Sequence, residues 1–225
     1  MDYKEILDKI EEALEGNAHL DDLAKRGRDP FKVLISTILS ARTKDANTKV
    51  ATDKLFAKYN TPQLIAQADI EELENLIRQS GFYRVKAARI KDVSKIIMND
   101  YNGDVPEEYE KLVNLPGVGA KTANCVLVYG FNIPAIPVDT HVHRISNRLG
   151  WVKTKKPEET EKALKNIIPK DQWLRINRIF VKFGQQICVP INPKHALCPI
   201  EDICPKDFNM ENERKKKSKK KLNKS

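Results

Sequence analysis

The lysine in Leu115-Pro116-Gly117-Val118-Gly119-Ala120-Lys121-Thr122-Ala123-Asn124 and the aspartate in Pro137-Val138-Asp139-Thr140-His141 are the residues of this chain best suited to covalent chemistry. An amine that is neutral near physiological pH attacks electrophilic carbon, and the environment predicted for Lys121 favours that form. It falls in the first turn of a helix, where the positive end of the dipole and partial burial both disfavour an ammonium. Asp139 lies eighteen residues further on. A carboxylate held by helix-start amides stays ionised and can stabilise positive charge growing on a sugar ring as its base departs.

These side chains need elements to position them. Glu107 to Val113 has helical spacing, Pro116 stops it, and Gly117 and Gly119 supply a tight turn with close backbone approach before a helix starts near Ala120. The amides at such a helix start favour a phosphate. Asp139 is placed to cap the helix that begins at Thr140. Without the glycine turn and Asp139, Lys121 would read as a solvated lysine on a helix packing through Ala123, Val126, Leu127 and Gly130.

Helical spacing extends over Tyr3 to Glu15, Pro30 to Leu39, Asp45 to Tyr59, Asp69 to Gln79, Val85 to Asn99, Glu107 to Val113, Ala120 to Tyr129, Thr140 to Leu149, Pro157 to Ile167 and Gln172 to Phe183. No segment sustains the alternation of a strand, so the fold class is expected to be all-α. Asp29 before Pro30, Thr61-Pro62 and Lys156-Pro157 are helix-start signals. The 225 residues suffice for one large domain or two small ones. No secretory signal or bilayer-length apolar run is evident, and a soluble intracellular protein of the cytoplasm or nucleoid is expected.

The net charge is +9, of which residues 211–225 supply +6. That basic tail reads either as a disordered solubilising end or as a DNA-tethering arm, and it makes overall basicity a weak argument for nucleic acid.

Cys125 stands alone in a helix and is expected in the core. Cys188, Cys198 and Cys204 lie within seventeen residues and argue for metal or cluster ligation rather than disulfides. Asp139, His141 and His143 could be read as metal ligands of a hydrolase, although two histidines only two apart on a helix are poor facing partners.

With these motifs the chain resembles the endonuclease III family, the helix-hairpin-helix DNA glycosylases with abasic-site lyase activity, over roughly residues 20 to 208. The resemblance implies that Lys121 attacks the deoxyribose carbon bearing a damaged base, expels the base, forms a Schiff base and promotes β-elimination, with Asp139 assisting. It implies two helical lobes with the catalytic residues at the cleft between them. One spans about residues 21–131 and contains the helix-hairpin-helix. The other combines residues 1–20 with 132–210.

Leu115, Gly117, Val118 and Gly119 then grip DNA backbone. Arg42, in Leu39-Ser40-Ala41-Arg42-Thr43-Lys44-Asp45, stands where relatives carry a glutamine that fills the space left by the extruded nucleotide. It reads otherwise as a phosphate-binding or surface arginine. Phe82 matches an apolar wedge, though a lone phenylalanine is more often core. Asp45 matches a lesion-pocket residue and equally suits a helix cap.

Relatives hold a 4Fe-4S cluster with cysteines spaced C-x6-C-x2-C-x5-C. The same frame here reads Cys188, His195, Cys198 and Cys204, with histidine in the second place. A three-cysteine, one-histidine cluster is expected to be structural, with a raised reduction potential, and to present Lys194 to phosphate. A three-iron cluster that leaves His195 free, a zinc site or no metal are the alternatives. The function implied is a monomeric base-excision enzyme that removes oxidised pyrimidines from double-stranded DNA and cleaves abasic sites. The rivals are a mismatch-directed thymine or adenine glycosylase and a noncatalytic helix-hairpin-helix DNA-binding protein.

Overall fold

Phe31, Val33, Leu34, Ile35, Ile38 and Leu39 face every side of one helix, a distribution stable only where protein covers the helix all round. In the computed structural model, which describes residues 2–16, 20, 22, 24 and 27–208, that helix is Pro30–Ser40 and those side chains are buried. Tyr3–Glu12 forms α1, and Pro30–Ser40 is α2. Asp29 Oδ1 accepts from Lys32 N at 3.0 Å, with Pro30 in the first turn where its missing N–H costs nothing.

The chain divides into two compact units, residues 17–137 and residues 1–16 with 138–225. In the first, α2 is surrounded by α3 (Asp45–Lys58), α6 (Tyr83–Asp100) and α8 (Ala120–Cys125) with its continuation. The short helices α4 (Pro62–Gln67) and α5 (Ile70–Leu76) pack on α6, and α7 (Tyr109–Val113) leads into α8. Among the described residues there is no strand, which agrees with the all-α expectation.

Several expected helices are trimmed for local reasons. Asp69 is outside α5 because its carboxylate caps it, accepting from Glu71 N at 2.9 Å and Glu72 N at 3.1 Å. Asp45 is the first residue of α3 rather than its cap, since Lys44 occupies the cap position, and a carboxylate there favours the dipole instead. Tyr3 to Glu15 ends as a helix at Glu12, and the helix expected from Glu107 begins at Tyr109.

The largest departure is Val126–Gly130. Expected as α-helix, it is a π-helical turn with Phe131 N bonded to Val126 O at 3.2 Å and all five residues buried against α2. Gly130 is necessary there, because a Cβ would stand 2.9 Å from Pro30 Cα, a backbone atom that cannot swing aside. Gly130→Ala is expected to destabilise this unit by roughly 2–3 kcal/mol through overpacking, measured by urea denaturation, whereas Gly119→Ala, which meets nothing within 4 Å, should leave stability within about 1 kcal/mol.

In the second unit, α11 (Trp173–Gln186) packs on α1 and α9 (Thr140–Arg148), and α10 (Pro157–Ile167) packs on α9. Trp151 joins Phe180, 5.4 Å between ring centroids, and meets Tyr3 edge-on at 5.0 Å. Arg175 bonds Asp8 and Glu11 at 2.6 Å each, and Arg178 bonds Glu11. Burial opposes ionisation of Glu11, but the hydrogen bond from Arg175 and the charge of Arg178 outweigh it and hold its carboxyl below the usual range. The basic tail lies outside the described residues, as do 209 and 210.

Candidate active site

The turn between α7 and α8 is built on two apolar anchors. Leu115 and Val118 are buried, and Val118 N closes the turn onto Leu115 O at 3.1 Å. Between them Gly117 takes φ +75°, the left-handed region in which a side chain is strained, and a Cβ there would also press on Arg89 Cδ at 2.8 Å. Gly119 has neither reason to be glycine, since its φ of −99° suits any residue and a Cβ would meet no protein atom within 4 Å. The amide end of α8 is therefore left uncovered at Gly119. Lys121 is the second residue of α8 and is half-buried.

Asp139 caps α9 as expected, accepting from His141 N and Val142 N at 2.8 Å each, both through Oδ1. Lys121 belongs to the unit of residues 17–137 and Asp139 to the other. His143 is buried, with Nδ1 at 2.6 Å from Thr160 Oγ1, while His141 Nδ1 accepts from Arg144 at 3.1 Å. The histidines therefore serve separate partners. Among the described residues no group of three or more His, Cys, Asp or Glu side chains is placed to hold a metal ion, so the hydrolase reading of Asp139, His141 and His143 has no geometric support.

Arg42 and Phe82 come together in the first unit. The Arg42 guanidinium stands 5.8 Å from the centre of the Phe82 ring. Phe82 is 63% exposed, so it is not a core residue, and it holds φ +60° at the cap position of α6. Arg42 has φ +54°. Left-handed backbone at two bulky residues costs on the order of 1 kcal/mol each and calls for a reason. Asp45 lies exposed at the start of α3, three residues beyond Arg42.

Cys188, His195, Cys198 and Cys204 line one pocket, together with Arg148 and Phe208, and none of the cysteines is in a disulfide. Burial pushes the Cys198 and Cys204 thiols up, and the neighbouring sulfurs add to it, so this group of donors is one that a cation would stabilise. The donor chemistry fits iron, although the four side chains do not converge to ligating positions. Lys194 is exposed and precedes the short 3₁₀ turn His195–Leu197, with its backbone N–H bonded to Ile187 O at 3.0 Å.

Sequence reasoning missed the arginines that hold this loop. Arg148, 3% exposed, donates to Val189 O at 2.8 Å, Pro190 O at 2.9 Å and Cys188 Sγ at 3.3 Å. Arg144 donates to Cys188 O at 2.9 Å and Gly184 O at 3.2 Å. Both stand on α9, whose first turn Asp139 caps, so the aspartate and the cysteine loop are fixed to one helix. Their spacing of four residues, which sets both on one face of the helix, was the only trace of this in the sequence, and it does not name their acceptors.

Comparison with known proteins agrees with this geometry. Residues 35–170 match the model of the HhH-GPD superfamily base excision DNA repair protein. Endonuclease III of Thermotoga maritima is 57% identical over 176 residues, 78% of this chain and 83% of that protein. The structure of a trapped covalent endonuclease III–DNA intermediate has a TM-score of 0.75 at 39% identity, covering 87% of this chain and 94% of that one. A thermostable thymine-DNA glycosylase reaches a TM-score of 0.77 but only 26% identity, covering 92% and 94%. The backbone is thus shared with both proteins, and side-chain identity favours endonuclease III.

Proposed function

The chain belongs to the endonuclease III family of HhH-GPD base excision DNA repair proteins, and from that premise we propose that Lys121 is the nucleophile of a DNA glycosylase and abasic-site lyase, with Asp139 as its electrostatic partner. The observation that carries this is Lys121 at the second position of a helix whose start is left bare by a glycine the fold itself does not need. Its partner is double-stranded DNA bearing a damaged or abasic nucleotide, a reading supported by the similarity to the structure of a trapped covalent endonuclease III–DNA intermediate.

The amides around Gly117 and Gly119 take a backbone phosphate, with Leu115 and Val118 anchoring the turn. Lys121 Nζ attacks C1′, and the base leaves with the electrons of the glycosidic bond. The carboxylate of Asp139 stabilises the positive charge on the sugar. After ring opening an imine links Lys121 to C1′, loss of a C2′ proton expels the 3′ phosphate, and water then releases the lysine. Before this the nucleotide must leave the stack. Phe82, exposed and fixed, wedges between bases, and Arg42 faces the unpaired base across the gap. Asp45 contributes to the lesion pocket from the first turn of α3. Lys194 adds a phosphate contact.

Duplexes carrying single defined lesions test the substrate class. Release of oxidised pyrimidines at least about tenfold faster than of mismatched thymine or adenine, accompanied by strand nicking, is the expected result. The opposite ranking would make the enzyme mismatch-directed. Binding without base release or nicking would reduce it to a DNA-binding protein.

Cys188, His195, Cys198 and Cys204 would hold a 4Fe-4S cluster, which supplies a cross-link for the loop that Arg144 and Arg148 already fasten to α9. Protein purified without oxygen should contain about four iron atoms per chain, and His195→Cys should lower the reduction potential by restoring a thiolate. Zinc in place of iron, or full activity without metal, would contradict this assignment.

A further inference from the structure

Arg42 and Phe82 adopt left-handed backbone without the glycine or asparagine that usually occupies it, and the same buried group is bonded beside both. Lys86, 3% exposed on α6, extends its ammonium between the loop after α2 and the turn before α6. Its Nζ donates to Leu39 O at 2.8 Å, Ala41 O at 2.7 Å, Thr43 Oγ1 at 2.8 Å and Ser80 Oγ at 2.8 Å. One of these partners, Leu39, is in the last turn of α2, two belong to the loop that carries Arg42, and the fourth lies two residues before Phe82.

Two further bonds bind the same segments together. Ser80 Oγ donates to Leu39 O at 2.9 Å, and Gly81 N donates to Thr43 Oγ1 at 3.0 Å. Gly81 also permits the close approach, because a Cβ there would be 3.1 Å from Arg42 O.

For stability alone this is a poor use of a buried position. No carboxylate among the described residues is bonded to Lys86, and burial, with Arg89 nearby, lowers its pKa to about 8. An apolar side chain would carry no charge to bury, but it could not join Leu39 of α2 and Ala41 and Thr43 of the loop after it to Ser80 in the turn opposite. The cation is retained where it holds geometry.

We propose that Lys86 is the positioning residue for nucleotide extrusion: it locks the Arg42 loop and the Phe82 turn into one rigid wedge, so that both side chains enter the duplex together. This rests on the intercalating roles assigned above to Arg42 and Phe82.

Duplex DNA with an abasic site and 2-aminopurine opposite it reports extrusion through fluorescence, with the full-length protein in stopped flow. Lys86→Met should slow the fluorescence rise about tenfold. Cleavage of a single-stranded abasic oligonucleotide, which requires no extrusion, should stay within about twofold. Thr43→Val combined with Ser80→Ala removes two acceptors while keeping the lysine and should slow extrusion in the same way, so the test survives if Lys86→Met fails to fold. The comparison variant carries Arg42→Ala and Phe82→Ala together. If that variant extrudes slowly while Lys86→Met and the hydroxyl variants match wild type, the positioning role is wrong and the wedge stands. The positioning role is equally wrong if single-stranded cleavage falls as far as extrusion. If the comparison variant itself extrudes like wild type, the intercalating roles fail, and the proposal falls with them.

Discussion

Lys121→Gln is expected to abolish abasic-site cleavage and to slow base release about 10⁴-fold, equivalent to about 5.5 kcal/mol of transition-state stabilisation. Glutamine is a good helix former of similar length, and Lys121 is half-buried in the first turn of α8 rather than in the core, so folding should be preserved. The turn proposed to take a phosphate is built from backbone amides and the buried anchors Leu115 and Val118, which the substitution leaves in place. Affinity for an abasic duplex should therefore change by less than about threefold. A large loss of rate with intact binding separates a nucleophile from a lysine that only contacts phosphate, which would lose affinity and salt dependence instead.

The second large effect is at Asp139, where two roles can be separated by choice of substitution. Asparagine caps a helix about as well as aspartate, so Asp139→Asn should keep the bonds from His141 N and Val142 N and leave the melting temperature within a few degrees. It removes the charge, and base release should fall about 10²- to 10³-fold. Asp139→Ala loses the cap as well, with a further destabilisation of about 1 kcal/mol. Single-turnover kinetics and thermal melts on the two variants distinguish these outcomes. Equal rates for wild type and Asp139→Asn would restrict Asp139 to capping.

What could be read from the sequence was whatever the chain decides locally. Asp29 before Pro30 and Asp139 before Thr140 are caps because each carboxylate reaches amides two or three residues away. The glycine turn before Lys121 was equally visible, since Pro116 and Gly117 act within a few residues. Features set by distant parts of the chain were not legible. The π-helical turn at Val126–Gly130 packs against α2, and its end meets Pro30 from a hundred residues away. Lys86 shares its helix with several other charged residues, and only the packing of α2 and Ser80 around its ammonium sets it apart. Phe82 could be given a place only by resemblance, because exposure and a left-handed backbone are properties of the fold. Arg148 was hidden for a different reason, as its acceptors are mostly carbonyls of a loop that has no regular structure.

Borohydride reduction during reaction with an abasic duplex tests the central claim most directly, because it fixes an imine as a stable covalent bond. Wild-type protein should give one protein–DNA adduct, with the modification mapping to Lys121 by peptide mass analysis. Absence of an adduct, an adduct on another residue, or equal trapping by Lys121→Gln would contradict the mechanism.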